Sequence, residues 1–209
     1  MERSRFGIIR TPIGIKHWMA EMPSVEAVRP SCCPRCRRPS RPVGRSLGLH
    51  GHGVVGRDLW GPLSPDEAPE FHDVKIRRFR CQTCGSVIRV GPAEILPHRR
   101  YGGGAILVAL TLWALEDVTP TQVRESVSPW RHVAVETTRR WPTLERWGAA
   151  AKSGLGWPLR RPLRSILSIR AAAGALVRSL VAALPNPTAG EIDLDLVFLA
   201  ARQTIGGVR

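Results

Sequence analysis

The length and charge of this chain limit the functions it can have. Its 209 residues suffice for one ordinary domain or two small ones. The sequence has 31 lysines and arginines against 17 acidic residues, and its formal charge of +14 favours a polyanionic partner such as nucleic acid. The most apolar run, residues 102–115, is shorter than the roughly 20 residues that span a bilayer, which argues against a membrane protein.

Residues 1–28 are predicted to be an N-terminal extension. They lack the continuous apolar stretch and small-residue cleavage site of an export signal, so we expect a cytoplasmic protein. Thiols stay reduced in the cytoplasm, where paired cysteines hold metal or perform redox chemistry more often than they form disulfides.

Four of the five cysteines form two C-x-x-C pairs, Cys33 with Cys36 and Cys81 with Cys84. Each pair can present two thiolates to one tetrahedral ion, so the two pairs together complete a four-thiolate zinc site. Gly85 follows the second pair, where a tight turn favours the positive φ that glycine adopts readily. Because four thiolates leave no position open for water, we predict one structural Zn²⁺ rather than a catalytic metal.

Redox chemistry is the main alternative for these thiols. A thioredoxin-like pair would need a helix directly after it within a βαβ unit, and neither pair is followed by one. Cys32 adjoins the first pair, but its spacing to Cys36 is one residue too long for the motif. We therefore predict that Cys32 is a thiol that binds no metal.

The sequence around the second cysteine pair predicts a β-hairpin. Val74–Arg80 and Ser86–Val90 are short, rich in β-branched residues and bounded by glycine, so the cysteines would lie at the tip between two strands. Residues 29–97 are therefore predicted to form a zinc ribbon. Three of its arginines are expected to contact DNA phosphates: Arg77, Arg78 and Arg80.

Two other parts of the predicted ribbon have no assigned chemistry. His50 and His52 would share one face of a strand, but four cysteines leave them no role at the same ion, so we interpret them as polar strand residues. Asp58–Asp73 is proline-rich and acidic, which predicts a partly ordered loop between ribbon strands.

Residues 98–152 change to a helical pattern and predict a helix-turn-helix bundle. Ala105–Leu115 is apolar on every side, as expected for a buried central helix. Thr119 precedes Pro120 and Gln122, which together form the capping-box signature of a second helix.

A third helix is predicted over residues 130–141. Its polar side would carry Arg139 and Arg140, and Pro142 should stop or kink it. Thr143 could then cap another short helix.

Residues 153–209 are predicted to form a basic C-terminal helix or pair of helices, followed by a tail. Three acids in this part alternate as in a strand, namely Glu191, Asp193 and Asp195. Acids in this arrangement are more often a solvated face than a metal site, so we predict no catalytic residue.

The motifs "CPRC", "RRFRCQTCG", "LPHRRY" and "ETTRRW", in this order, resemble the zinc-ribbon and helix-turn-helix regions of bacterial insertion-sequence transposases. They also resemble short bacterial proteins that share these two parts. The resemblance covers residues 33–147. It implies that the four paired cysteines hold zinc and that Thr137, Thr138, Arg139 and Arg140 lie on a recognition helix.

Together these features predict an α+β protein, with a small N-terminal zinc-ribbon β-domain followed by an all-α helix-turn-helix bundle. We expect it to bind double-stranded DNA and to have no catalytic activity of its own. One alternative is a truncated or split transposase that acts with a catalytic subunit on another chain. Another is a zinc-ribbon module that docks a protein subunit.

Overall fold

The computed structural model describes residues 8–130, 141–155, 157, 163, 168–185 and 192–202 of the chain. The described part contains one sheet, and its strands are β1 (Ile8–Arg10), β2 (Leu49–Gly61), β3 (Glu70–Cys81) and β4 (Val87–Gly91). The strand order is β1-β4-β3-β2, with β1 parallel to β4 and the other pairs antiparallel.

Six helices accompany the sheet in the described part of the chain, and all but the first follow it. They are α1 (Ile15–Ala20), α2 (Gly103–Ala114), α3 (Pro120–Val127), α4 (Pro142–Ala151), α5 (Ile169–Val181) and α6 (Leu194–Ala201). The expected mixture of helices and strands is confirmed. None of these helices is long and apolar enough to cross a lipid bilayer.

The predicted hairpin around the second cysteine pair is confirmed as β3 and β4. Phe79 lies opposite Ile88 in the antiparallel register, and both side chains are buried. Cross-strand pairs of this kind are the main source of sheet stability, which explains why the β-branched and aromatic sequence forms strands.

The expected loop over Asp58–Asp73 is wrong for half of its length. Strands β2 and β3 stay paired through this region, and only residues 62–69 connect them. The reason is a cross-strand aromatic pair, since Trp60 lies opposite Phe71 with ring centroids 5.9 Å apart. Aromatic pairing therefore offsets the poor strand propensity of the neighbouring acids.

The described residues form two hydrophobic cores, one on the sheet and one among the helices. Trp18 of α1 is buried in the sheet core and donates its indole N–H to the Lys75 carbonyl at 2.8 Å. In the helical core, residues 103–111 of α2 are all buried, as predicted from its apolar sequence. Residues 8–20 thus contribute a strand and a helix to the sheet layer.

The helix starts agree in part with the sequence signals. The capping box at Thr119 and Gln122 is present. Thr143 is not a cap, because α4 begins one residue earlier, with Trp141 at the N-cap and Pro142 at the first helical position. The strand-like alternation of acids near residue 193 is also misleading, since Asp193 caps α6 by accepting the Leu196 N–H at 2.7 Å.

Glu94 links the sheet layer to the helical layer. It follows β4 and is 4% exposed, and its carboxylate accepts the Ile15 N–H at 2.9 Å and the Arg202 Nε–H at 3.0 Å. These donors come from α1 and from the end of α6, 108 residues along the chain. Burial raises the pKa of Glu94, and both donors oppose that rise.

The raised pKa of Glu94 predicts a specific pH dependence of stability. Its contribution to the free energy of unfolding is fully present below the ordinary pKa of 4.5 and is lost as the pH rises through the folded-state pKa above it. Glu94→Gln should remove this loss. Denaturant unfolding of both proteins between pH 4.5 and neutrality tests it. Glu26 and Glu67 do not interfere in this window, because the pKa of each is lowered. Parallel pH curves for the two proteins would contradict the prediction.

Candidate metal centre

The four paired cysteines meet at one point, although 45 residues separate Cys36 from Cys81. Their sulfur atoms all lie within 4.8 Å of one another, and the Cys33–Cys84 and Cys36–Cys81 sulfur distances are both 3.7 Å. A tetrahedral ion with metal–sulfur bonds of about 2.3 Å requires sulfur–sulfur edges of about 3.8 Å. The cluster therefore has the dimensions of a tetrahedral metal site.

The two C-x-x-C turns have the same backbone geometry. The N–H of Arg37 donates to the Cys33 carbonyl at 2.8 Å, and the N–H of Gly85 donates to the Cys81 carbonyl at 2.9 Å. Both donors have positive φ, 61° for Arg37 and 69° for Gly85. The first turn thus places a non-glycine residue in the left-handed conformation that glycine adopts in the second.

The second turn is held by the sheet. Cys81 ends β3, and its N–H donates across the hairpin to the Ser86 carbonyl at 3.0 Å. Cys84 lies between β3 and β4, and its sulfur is 3.0 Å from the Ser86 hydroxyl. The rigid hairpin therefore fixes two of the four sulfurs.

The first turn lies in a segment without helix or strand, residues 21–48. This segment docks on the hairpin through a few contacts. The Arg29 guanidinium lies 5.6 Å from the centre of the Phe79 ring and donates to the Leu49 carbonyl. Near the sulfurs, the Gln82 N–H donates to the Gly48 carbonyl at 2.9 Å.

The thiols differ in their acidity. Burial raises the pKa of Cys33 to about 12. Burial would also raise the pKa of Cys84, but hydrogen bonds from the Ser86 hydroxyl and backbone N–H, with help from the Cys81 and Cys33 thiols, lower it to about 6. Four adjacent thiolates repel one another, so a bound cation must displace protons to gather all four.

The arrangement suits a structural metal better than the alternatives. All five cysteines are free thiols, and a sulfur separation of 3.7 Å is far beyond a disulfide bond of about 2.05 Å. Four protein sulfurs would complete a tetrahedral shell, which leaves no site for water or substrate. Among the described residues, no other group of cysteine, histidine and carboxylate side chains is close enough to hold a metal.

Cys32, His50 and His52 lie outside the sulfur cluster. Cys32 forms an isolated bridge with Pro39, and His50 contacts the Leu47 carbonyl through Nε2 at 2.7 Å. Both histidine side chains are exposed.

The expected phosphate-contacting arginines differ in environment. Arg77 is half-buried, and its Nε donates to the Pro23 carbonyl at 2.9 Å. Arg80 is exposed and Arg78 half-buried, with no hydrogen bond or ion pair to any described residue. The residues expected on the recognition helix, Thr137, Thr138, Arg139 and Arg140, lie outside the described residues.

Sequence reasoning missed Arg89, which lies directly opposite Arg78. The predicted hairpin contained the signal. Three residues before Cys81 on one strand is Arg78, and three residues after Ser86 on the other is Arg89, so the two arginines are expected to lie opposite each other. Sequence reasoning also missed Ser86 as a hydrogen-bond partner of Cys84. A serine two residues after a cysteine is too common in sequences to indicate such a contact.

We predict that the protein binds one metal ion per chain through these sulfurs. Cys81→Ser removes one ligand and should lower the bound metal well below one equivalent and make residues 21–48 susceptible to proteases. Cys32→Ser is the matched control and should keep the full equivalent. Metal analysis and limited proteolysis check both variants. Equal metal content in the two variants would contradict this assignment.

The two turns also predict opposite responses to substitution. Gly85→Ala places a Cβ in open space but in the left-handed conformation, and should destabilise the metal-bound protein by about 1–2 kcal/mol. Arg37→Gly relieves the same conformation in the first turn and should not destabilise it. Denaturant unfolding of the metal-bound proteins distinguishes them. If both substitutions lower the free energy of unfolding equally, the left-handed backbone conformation in the turns does not determine the stability of the protein.

Comparison of the chain with protein-family models, with curated proteins and with solved structures yields no match. The resemblance to transposases therefore depends on the sequence motifs alone. What the protein does has to be argued from the sulfur cluster and from the charges around it.

Proposed function

We propose that the protein is a DNA-binding protein related to transposases. In this proposal residues 29–97 are a zinc ribbon, which one structural zinc ion stabilises, and residues 98–152 are a helix-turn-helix bundle. The chain has no catalytic activity of its own and acts in the cytoplasm, where its five thiols stay reduced.

Zinc fits the sulfur cluster on chemical grounds. Thiolates are soft ligands, and tetrahedral four-sulfur sites in proteins hold zinc or iron–sulfur centres. A sulfur spacing that matches the edges of a single-ion tetrahedron favours one zinc over a larger cluster. Four thiolates and one Zn²⁺ change the formal charge only from +14 to +12, so the metal-loaded protein still attracts polyanions.

The observation that carries the proposal is a strip of arginines whose side chains have no partner among the described residues. Arg78 lies opposite Arg89, and Arg80 lies opposite His50, so these side chains share one face of the sheet next to the sulfur cluster. None of the three arginine side chains has a hydrogen bond or ion pair within the described part of the chain. We call Arg78, Arg80 and Arg89 the arginine strip.

Electrostatics around the strip support this role. Burial lowers the pKa of Arg57, and the nearby positive charge of Arg89 lowers it further. Like charges directly opposite each other destabilise a sheet, and Arg78 and Arg89 form such a pair. DNA phosphates would relieve this repulsion. Arg77 is a weaker candidate for a phosphate contact, because its side chain already donates to the Pro23 carbonyl.

We place the recognition of DNA base sequence in the helical layer. Helices α3 and α4 flank residues 131–140 on both sides. Thr137, Thr138, Arg139 and Arg140 keep their proposed role on a recognition helix, since arginine is the commonest reader of guanine and threonine can contact any base. A split transposase remains the second candidate, with this chain supplying the DNA-binding part to a catalytic subunit.

Replacing all three arginines of the strip by alanine should weaken binding to any duplex. Each lost phosphate contact should reduce the slope of log affinity against log salt by about 0.9, because fewer counterions are released. Arg170→Ala is the control, since that arginine is already paired with Asp117. Fluorescence anisotropy with the zinc-loaded proteins at several salt concentrations measures the slopes. A triple variant with the slope of the unsubstituted protein would sink the proposed interface.

A further inference from the structure

A cavity of about 500 Å³ lies at the end of the β2–β3 pair that is remote from the sulfur cluster. Phe71 is ten residues before Cys81 on β3, which corresponds to about 33 Å of strand. Three aromatic side chains line the cavity: Trp60, Phe71 and Trp130. We call them the aromatic corner.

The three rings stand nearly perpendicular to one another. Ring centroids lie 5.0 Å apart for Phe71 and Trp130 and 6.0 Å apart for Trp60 and Trp130, with interplanar angles of 80° and 79°. Phe71 is 53% exposed and Trp130 is 52% exposed. Two large aromatic side chains half open to solvent in one cavity are typical of a binding site.

Two carboxylates lie in the same cavity. Asp58 is directly opposite Asp73 across β2 and β3, and neither has a hydrogen bond or ion pair with a described residue. Facing acids destabilise a sheet. Gly56 makes room for Asp73, since a Cβ there would lie 2.8 Å from Oδ1 of that side chain.

The remaining charged groups leave the cavity acidic. Arg100 is the one arginine or lysine among the described residues that line it, and its guanidinium lies 5.0 Å from the Trp60 ring centroid. His72 lines it too, with Nε2 3.0 Å from the Gly61 carbonyl. Two carboxylates against one guanidinium disfavour phosphate here, although the whole chain is strongly basic.

We propose that the aromatic corner binds an arginine side chain of a partner polypeptide. A guanidinium is planar and weakly hydrated, so it can stack on Phe71 or Trp130 while it donates to Asp58 and Asp73. Such an ion would relieve the repulsion between the facing acids. Arg100 over Trp60 shows that one ring of the corner already holds a guanidinium of this chain.

The test uses the full zinc-loaded chain and three short peptides, acetyl-Gly-Arg-Gly-amide and its citrulline and lysine counterparts. Citrulline keeps the planar shape and most of the volume but has no charge. The arginine peptide should shift the indole N–H resonances of Trp60 and Trp130 saturably and bind about tenfold more tightly than the citrulline peptide. Equal affinities, or no saturable shift with the arginine peptide, would overturn the proposal. A lysine peptide that binds as tightly as the arginine peptide would overturn the preference for a guanidinium.

Variants distinguish binding of the arginine peptide in the cavity from a general attraction to acidic residues. Asp58→Asn together with Asp73→Asn keeps side-chain volume and should abolish the preference for arginine over citrulline. Asp66→Asn changes an exposed acid in the 62–69 connection and should leave it unchanged. An Asp58/Asp73 double variant that retains the preference would overturn the proposal. The salt slope for DNA should be the same in the double variant, so the outcome does not depend on the arginine strip.

Discussion

The position of the first C-x-x-C turn depends on the sulfur cluster. Residues 21–48 form no helix or strand, so contacts with the hairpin and an ion at the four sulfurs, if one is bound, would fix their backbone. The second turn is different, because the β3–β4 hydrogen bonds hold Cys81 and Cys84 whether or not an ion is bound. Metal binding would therefore order the first turn against two sulfurs that are already in place. The free energy of binding the ion would then stabilise mainly residues 21–48.

Charge is divided along the sheet. The arginine strip lies on β3 and β4 beside the sulfur cluster, whereas Asp58 and Asp73 lie on β2 and β3, toward the opposite end of the sheet. Asp73 is five residues before Arg78 on β3, which corresponds to about 17 Å of strand between the acidic and the basic surface. One sheet can then bind a polyanion at one end and a cationic side chain at the other without competition between them.

Local patterns predicted most of the elements, because their determinants are close in sequence. Cysteine spacing identified the cluster, and the capping box at Thr119 identified the start of α3. Alternation along the strand could not predict that Arg77 is half-buried and donates to the Pro23 carbonyl. Ile76 and Phe79 of β3 are three positions apart and both buried, so the alternation of buried and exposed side chains is interrupted between them. Contacts such as Glu94 with Arg202 join residues 108 positions apart and leave no local signal.

The connection between the layers fixes how the two halves of the protein act together. Residues 91–96 are all buried, with Ile95 in the sheet core and Leu96 in the helical core. Tyr101 continues this link, because its ring packs edge-on against Trp60 of the sheet and Trp147 of the helices. A buried connection has little conformational freedom, unlike an exposed linker rich in glycine and serine. The arginine strip and helices α3 and α4 are therefore held at one separation, so a duplex that contacts both the strip and these helices would do so with a single fixed spacing.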